Sequence, residues 1–331
     1  MSLLESFYEP IQTPLNEMQA SFPQTLKQFS LYPALSEILD FSTQSPGKWI
    51  RASLCLYSFH LTSNNTTLSP NSKDALFKAC YAIEAIQLAS LIHDDIIDEA
   101  ELRRNKPCVY KEFGTHSSII GGVFIYSIAL QLMSSIQDIS LIESLSQAVS
   151  SLCQGEFEQM TRRFDYNLSQ ETYEHIIYLK TAALFESSCF TGAKLAGGCQ
   201  EQCTRLSQFG KSFGMLFQLV DDYKDLFSSK NTLQKLPIQD LITGDISKPI
   251  LLLYNLLDTK CWQQFLEHAK NQNLDACLDC ISPSIHQRVK EHMLEDIYRH
   301  SQDIKNSLNK QTESPYQKKL LDFIERFSHL S

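Results

Sequence analysis

Apolar and polar positions in this chain alternate at intervals of three and four. Ala82, Ala85, Ile86 and Ala89, continued by Ile96 and Ile97, trace one such stripe, the period of a helix with a buried face. Alternation with period two, the mark of a half-buried strand, is hard to find. The expected fold class is therefore all-α. The breaks agree: "LTSNNTTLSPNS" near 61–72, "RRFDYNLSQ" near 162–170, the Gly pair at 197–198 and "SSKNTLQKLPIQDLITGDISKP" near 228–249 have turn or loop compositions. Ser314 followed by Pro315 marks the start of a last helix, because a serine oxygen caps free amides and proline suits the first helical position. The segments between breaks run to about 25–30 residues, the size of members of a large helical bundle. No repeat of fixed period is visible. A single domain over residues 1–331 is expected.

Composition narrows the function. The formal charge of −9 argues against a nucleic-acid partner. The start, "MSLLESFYEP", lacks the basic flank and apolar run of an export signal, so a cytoplasmic location is expected. "IIGGVFIYSIALQLM", Ile119 to Met133, falls short of the roughly 20 residues of a membrane span and reads as a buried helix. The ten cysteines read as reduced thiols packed as small hydrophobes. Neither the Cys277/Cys280 pair nor Cys199 with Cys203 has the spacing partner of a zinc site.

The chemistry lies in a motif used twice. "LIHDDIIDEAELRRNKP" holds Asp94, Asp95 and Asp98 in what reads as the middle of an apolar helix, and "FQLVDDYKD" holds Asp221, Asp222 and Asp225 in the same layout. At about 100° per residue, the first and last Asp of each set project about 40° apart on one face. Like charges so placed repel, so each cluster is half of a cation site. Hard carboxylate oxygens suit Mg²⁺, which binds a few carboxylates together with substrate phosphates. Cationic residues stand nearby in sequence: Lys48 and Arg51 in "GKWIR", Arg103 and Arg104 after the first motif, Lys180 in "LKTAALF", and Lys235 after the second motif. Guanidinium forks and lysine ammoniums both take phosphate oxygens.

From "GKWIR" to the region after "GDISKP" the chain resembles the trans-isoprenyl diphosphate synthases, the polyprenyl synthetase family. Its two motifs look like that family's first and second aspartate-rich motifs. The resemblance implies a helical bundle with a central cavity, a homodimer, and Mg²⁺ held by Asp94, Asp95 and Asp98 on one side and Asp221, Asp222 and Asp225 on the other. It implies an allylic diphosphate held by Arg103, Lys180, Thr181, Gln218 and Lys235, and isopentenyl diphosphate held by Lys48, Arg51, Gln87 and Arg104. The implied reaction is a head-to-tail condensation in which the allylic C–O bond ionises and the double bond of isopentenyl diphosphate attacks. Ala89, Ser90 and Ala85, with Ala82 deeper, are small where short-product members carry bulky aromatics, so a product of geranylgeranyl length or longer, of the quinone-tail type, is expected.

Several positions depart from the family pattern. Val123 and Ile128 stand where members commonly carry Asp and Arg, Gln234 and Ile238 replace glycines, and Trp49 and Ala52 replace the Arg and Pro of "GKRIRP". Lys224 could pair with Asp221 or Asp225, or point to solvent. Other readings stay open. These are a non-catalytic subunit of a heteromeric synthase, a short-chain farnesyl or geranylgeranyl synthase, and a head-to-head condensing enzyme or terpene cyclase on the same architecture.

Overall fold

A computed structural model describes residues 2–45, 47–63, 69–227, 243–271, 273–308 and 314–329. The chain divides into two compact units. One comprises Met1–Ser150, Leu184–Gly210 and Glu313–Leu320, and the other Ser151–Ala183, Lys211–Thr312 and Leu321–Ser331.

The first unit contains α1 (Leu3–Tyr8), α2 (Gln12–Lys27), α3 (Pro33–Thr43), α4 (Ile50–Thr62), α5 (Pro70–Ile97), α6 (Val109–Phe113) and α7 (Thr115–Ser134). Ser69 starts α5 by accepting the Ser72 N–H at 3.2 Å, and Pro70 takes the first helical position. Buried residues occur all round α5, from Leu76 through Ile92, so it is the central helix of this unit. It packs on α7, and Gly122 permits the approach, because a Cβ there would lie 2.3 Å from His93 Nε2. His93 Nε2 sits 3.2 Å from the Ile119 carbonyl oxygen and its ring leans on Tyr126, a packed side chain.

Only one face of α7 is buried. Gly121, Ile125, Ile128, Ala129 and Leu132 are enclosed, whereas Ile119, Ile120, Val123 and Leu130 are exposed, so the fully buried helix expected here is half right. Length and composition alone would allow α5 and α7 to cross a membrane, but 67% of the most apolar stretch of α5 and 44% of that of α7 are buried within the protein.

One element escapes the all-α expectation. Leu102–Arg103 pairs antiparallel with Lys106–Pro107, and Arg104 and Asn105 turn between them at φ 52° and 62°. This two-residue turn, with both central residues left-handed, matches the twist of a hairpin.

The second unit contains the last part of α8 (Ile139–Thr161), α9 (Gln170–Ile177), the last part of α11 (Gln200–Phe227), and the helices Lys248–Leu256, Thr259–Lys270, Leu274–Asp279 and Pro283–Leu308. Tyr173, Ile177, Ala182, Met215 and Leu251 form a core cluster. Phe213, buried, and Phe217, half-buried, pack on Phe327 at ring distances of 5.9 and 5.8 Å. The last helix, Pro315–Ser328, begins where its sequence signal stands, and Ser314 Oγ accepts the Gln317 N–H at 3.1 Å.

Candidate active site

The first aspartate motif is not in mid-helix. α5 ends at Ile97, Asp98 is its C-cap, and Glu99 turns the chain at φ 51°. The second motif likewise lies in the last two turns of α11. Three carboxylates at the negative end of a helix dipole are unfavourable by themselves, and a cation reverses the sign.

The two motifs are graded alike in exposure. Asp94 and Asp221 are intermediate, Asp95 and Asp222 are buried at 3% and 6%, and Asp98 and Asp225 are exposed. The buried members are already engaged within their own units. Arg103, on the hairpin, donates to Asp95 Oδ1 through Nε at 2.7 Å and reaches it with Nη2 at 2.6 Å. Burial works against the Arg103 charge, but Asp95 and then Asp94 outweigh it and hold the guanidinium above its ordinary value. The Cys108 thiol is pushed up to about 11 by burial and by Asp95, so it stays protonated beside that carboxylate.

Asp222 accepts the Tyr173 hydroxyl at 2.6 Å and the Lys248 backbone N–H at 2.9 Å on Oδ2, and the Gln218 amide at 2.8 Å on Oδ1. Burial raises its carboxyl above the usual range, and these three donors pull the other way. Gln218 Oε1 in turn accepts the Thr181 hydroxyl at 2.9 Å.

Lys180 and Thr181 lie on a π-helical turn, Tyr178–Ala182, inserted between α9 and α10 (Ala183–Leu195). Such turns offset side chains from the α-helical register and recur at functional sites. Lys180 Nζ meets Glu156 at 2.7 Å. Gly155 leaves room for this segment, since a Cβ there would lie 2.7 Å from Leu179 Cβ.

In the first unit, Lys48 and Arg51 flank Trp49 at the start of α4, with Arg51 over the Phe185 ring at 4.3 Å. Arg104 Nη1 donates to the Ser45 carbonyl at 2.7 Å. Gln87 lies on α5 two turns before Asp94, and Ala89, Ala85 and Ala82 are fully enclosed while Ser90 is partly so. Lys235, with Gln234, Ile238 and Asp240, lies outside the described residues. The replacements Val123 and Ile128 are not a pair, one being exposed and the other buried. The Lys224 ammonium lies over the Phe327 ring at 4.8 Å.

Each motif thus offers a more accessible Asp pair four residues apart. Among the described residues no three His, Cys, Asp or Glu side chains gather closely enough to hold a metal. The donor set therefore fits a hard cation that takes its remaining ligands from phosphate oxygens and water. Sequence reasoning missed Tyr173, Lys248, Glu84 and the π turn. Only Lys248, in "GDISKP", had a signal in the sequence, as a basic residue beside a motif already singled out.

Two acidic clusters graded in the same way, each with basic residues in its own unit, are a donor set suited to a divalent cation that shares its ligands with phosphate. The polyprenyl synthetase family model matches residues 32–281, and the chain belongs to that family. Octaprenyl diphosphate synthase of Haemophilus influenzae is 36% identical over 169 residues, 51% of this chain and 51% of that protein. Heptaprenyl diphosphate synthase component 2 of Bacillus subtilis is 30% identical over 244 residues, 74% of this chain and 68% of that protein. The crystal structure of octaprenyl pyrophosphate synthase from Helicobacter pylori superposes with a TM-score of 0.81 at 26% identity, covering 95% of this chain and 99% of that one. The chain spans about half the length of the Haemophilus relative in its match.

Proposed function

We propose that the protein is a trans-polyprenyl diphosphate synthase that joins isopentenyl diphosphate head to tail to an allylic diphosphate in the presence of Mg²⁺. The observation that carries this reading is the shared grading of the two motifs, in which a buried Asp is fixed by protein donors and its neighbours keep more access to solvent. Asp94 and Asp98 in one motif, and Asp221 and Asp225 in the other, would hold the metal, with Asp95 and Asp222 as positioning residues of their own motifs. When bound, Mg²⁺ supplies charge neutralisation at the allylic diphosphate.

Arg103, Lys180, Thr181, Gln218 and Lys235 bind that diphosphate and stabilise the charge it gains as the C–O bond breaks. Lys48, Arg51, Gln87 and Arg104 hold the second diphosphate and orient its double bond toward the allylic carbon. The new C–C bond leaves a tertiary cation, which loses a proton to the released diphosphate. The small side chains of Ala89, Ser90 and Ala85 let the product grow to geranylgeranyl length or beyond.

The exposed apolar stripe of α7 supports a homodimer. The likeness to a heptaprenyl synthase component 2 supports a second reading, in which the chain is the catalytic half of a two-component synthase. Purified protein incubated with farnesyl diphosphate, isopentenyl diphosphate and Mg²⁺ should yield a longer prenyl diphosphate, seen by mass spectrometry after dephosphorylation. No product from any allylic primer removes the first reading. Activity that returns only with a second polypeptide selects the other.

A further inference from the structure

The turn that carries Lys48 and Arg51 has a strained backbone. Trp49 sits at φ 55°, a left-handed conformation that bulky side chains avoid. Its ring is buried, with Phe22 edge-on at 5.1 Å. Several bonds tie this segment down: the Tyr8 hydroxyl donates to the Lys48 carbonyl, and Arg104 donates to the Ser45 carbonyl. A third anchor comes from below. The Ala52 N–H, in the first turn of α4 where no intrahelical acceptor exists, donates to Glu84 Oε1 at 3.0 Å.

Glu84 is a buried carboxylate in the middle of α5, and a charge at that depth needs compensation. Burial raises its carboxyl, and the Ala52 N–H followed by the Arg51 and Arg104 guanidiniums works against that rise. Both Arg51 and Arg104, two of the cations assigned to isopentenyl diphosphate, favour the ionised form of this carboxyl. The Ala52 bond is a property of this chain: proline, usual here in the family this chain resembles, has no N–H to give.

We propose that Glu84 is a positioning residue for isopentenyl diphosphate: anchored on the Ala52 N–H and set against Arg51 and Arg104, it holds the Lys48–Arg51 turn and both guanidiniums ready for the second diphosphate. This rests on the synthase reading above. Glu84 acts through Arg51, Arg104 and the turn.

Two variants separate its actions. Glu84→Gln keeps an acceptor and the side-chain shape but removes the charge. Ala52→Pro keeps the charge and removes the N–H, and proline is tolerated in a first helical turn. In each, the KM for isopentenyl diphosphate should rise about tenfold, the size of one charge-assisted hydrogen bond. The KM for the allylic substrate should stay within about twofold.

An isopentenyl diphosphate KM unchanged in either variant overturns the proposal, and so does an equal rise for both substrates, which would mark a merely structural role. If Glu84→Gln does not fold, Ala52→Pro decides by the same two constants. Wild-type protein that makes no product sinks the synthase reading itself. An active wild type whose variants keep both constants sinks only the role of Glu84.

Discussion

Asp95 and Asp222 occupy the same place in their motifs, and the same physics sets them apart from their neighbours. Each is enclosed and held by donors from its own unit: Arg103 grips Oδ1 of Asp95, while Tyr173 and the Lys248 N–H take Oδ2 of Asp222 and Gln218 takes its Oδ1. A carboxylate already committed has little left to offer a cation. Replacing Asp98 or Asp225 by Asn should therefore raise the Mg²⁺ concentration needed for half-maximal rate by about tenfold or more. Asp95→Asn and Asp222→Asn should act mainly on stability, lowering it by about 1–3 kcal/mol as a buried charged hydrogen bond is lost. Mg²⁺ titrations of the rate, set beside urea unfolding of the same four variants, check this. If Asp95→Asn moves the Mg²⁺ requirement as far as Asp98→Asn does, the division of labour is wrong. The motifs themselves were legible because their four-residue spacing is local. The partners of Asp222 were not, since Tyr173 and Lys248 lie 49 and 26 residues away and reach it only through tertiary packing.

Among the elements, α5 links capping, packing and chemistry along one rod. Its capped start, its buried middle and its acidic end are successive stretches of 28 residues. Ala89 lies five residues before Asp94, so a side chain there projects about 7–8 Å along the axis from the start of the acidic end. Ala89→Phe should shorten the product by one or more isoprene units, and an unchanged product distribution by mass analysis would remove the chain-length argument.

A second element-level feature ties α8 to the segment before Lys248–Leu256. Asp245 accepts from Arg163 Nε and Gln159 Nε2, both at 3.0 Å, and from Thr243 at 2.8 Å. Burial raises the Asp245 carboxyl, but these bonds outweigh it and hold it below 3.8. A depressed carboxyl stabilises the fold at pH above 3.8, and that stability is lost as pH falls through the folded value. The gap in urea midpoint between wild type and Asp245→Asn should be full at pH 6 and shrink below about pH 4. A gap constant with pH would show that the charge contributes nothing.

Helix breaks were legible at this scale because serine, asparagine, glycine and proline act locally. The hairpin at 102–107 was not, since two-residue strands carry no period, and neither was the end of α5 at Ile97, where the apolar pattern runs straight into the motif.

For the whole molecule, the exposed stripe of α7 is the feature that a lone chain leaves unexplained. Ile119, Ile120, Val123 and Leu130 recur at helical spacing on the face opposite the one packed on α5 and α3. Val123 stands where a charge was expected, so this chain has made that face more apolar. Dispersed apolar residues on a surface need no partner, but a continuous helical stripe does. A second copy supplies one most simply, because a two-fold axis sets the same stripe against itself. Sedimentation velocity at micromolar concentration should give a dimer for the wild type. Placing Glu at both Ile120 and Val123 would bring four carboxylates together across such an axis, and this variant should sediment as a monomer while retaining its helical circular dichroism. A wild type that is monomeric throughout, or a double variant that stays dimeric, would move the interface elsewhere and leave the stripe for a different polypeptide, which is where the two-component reading would gain its support.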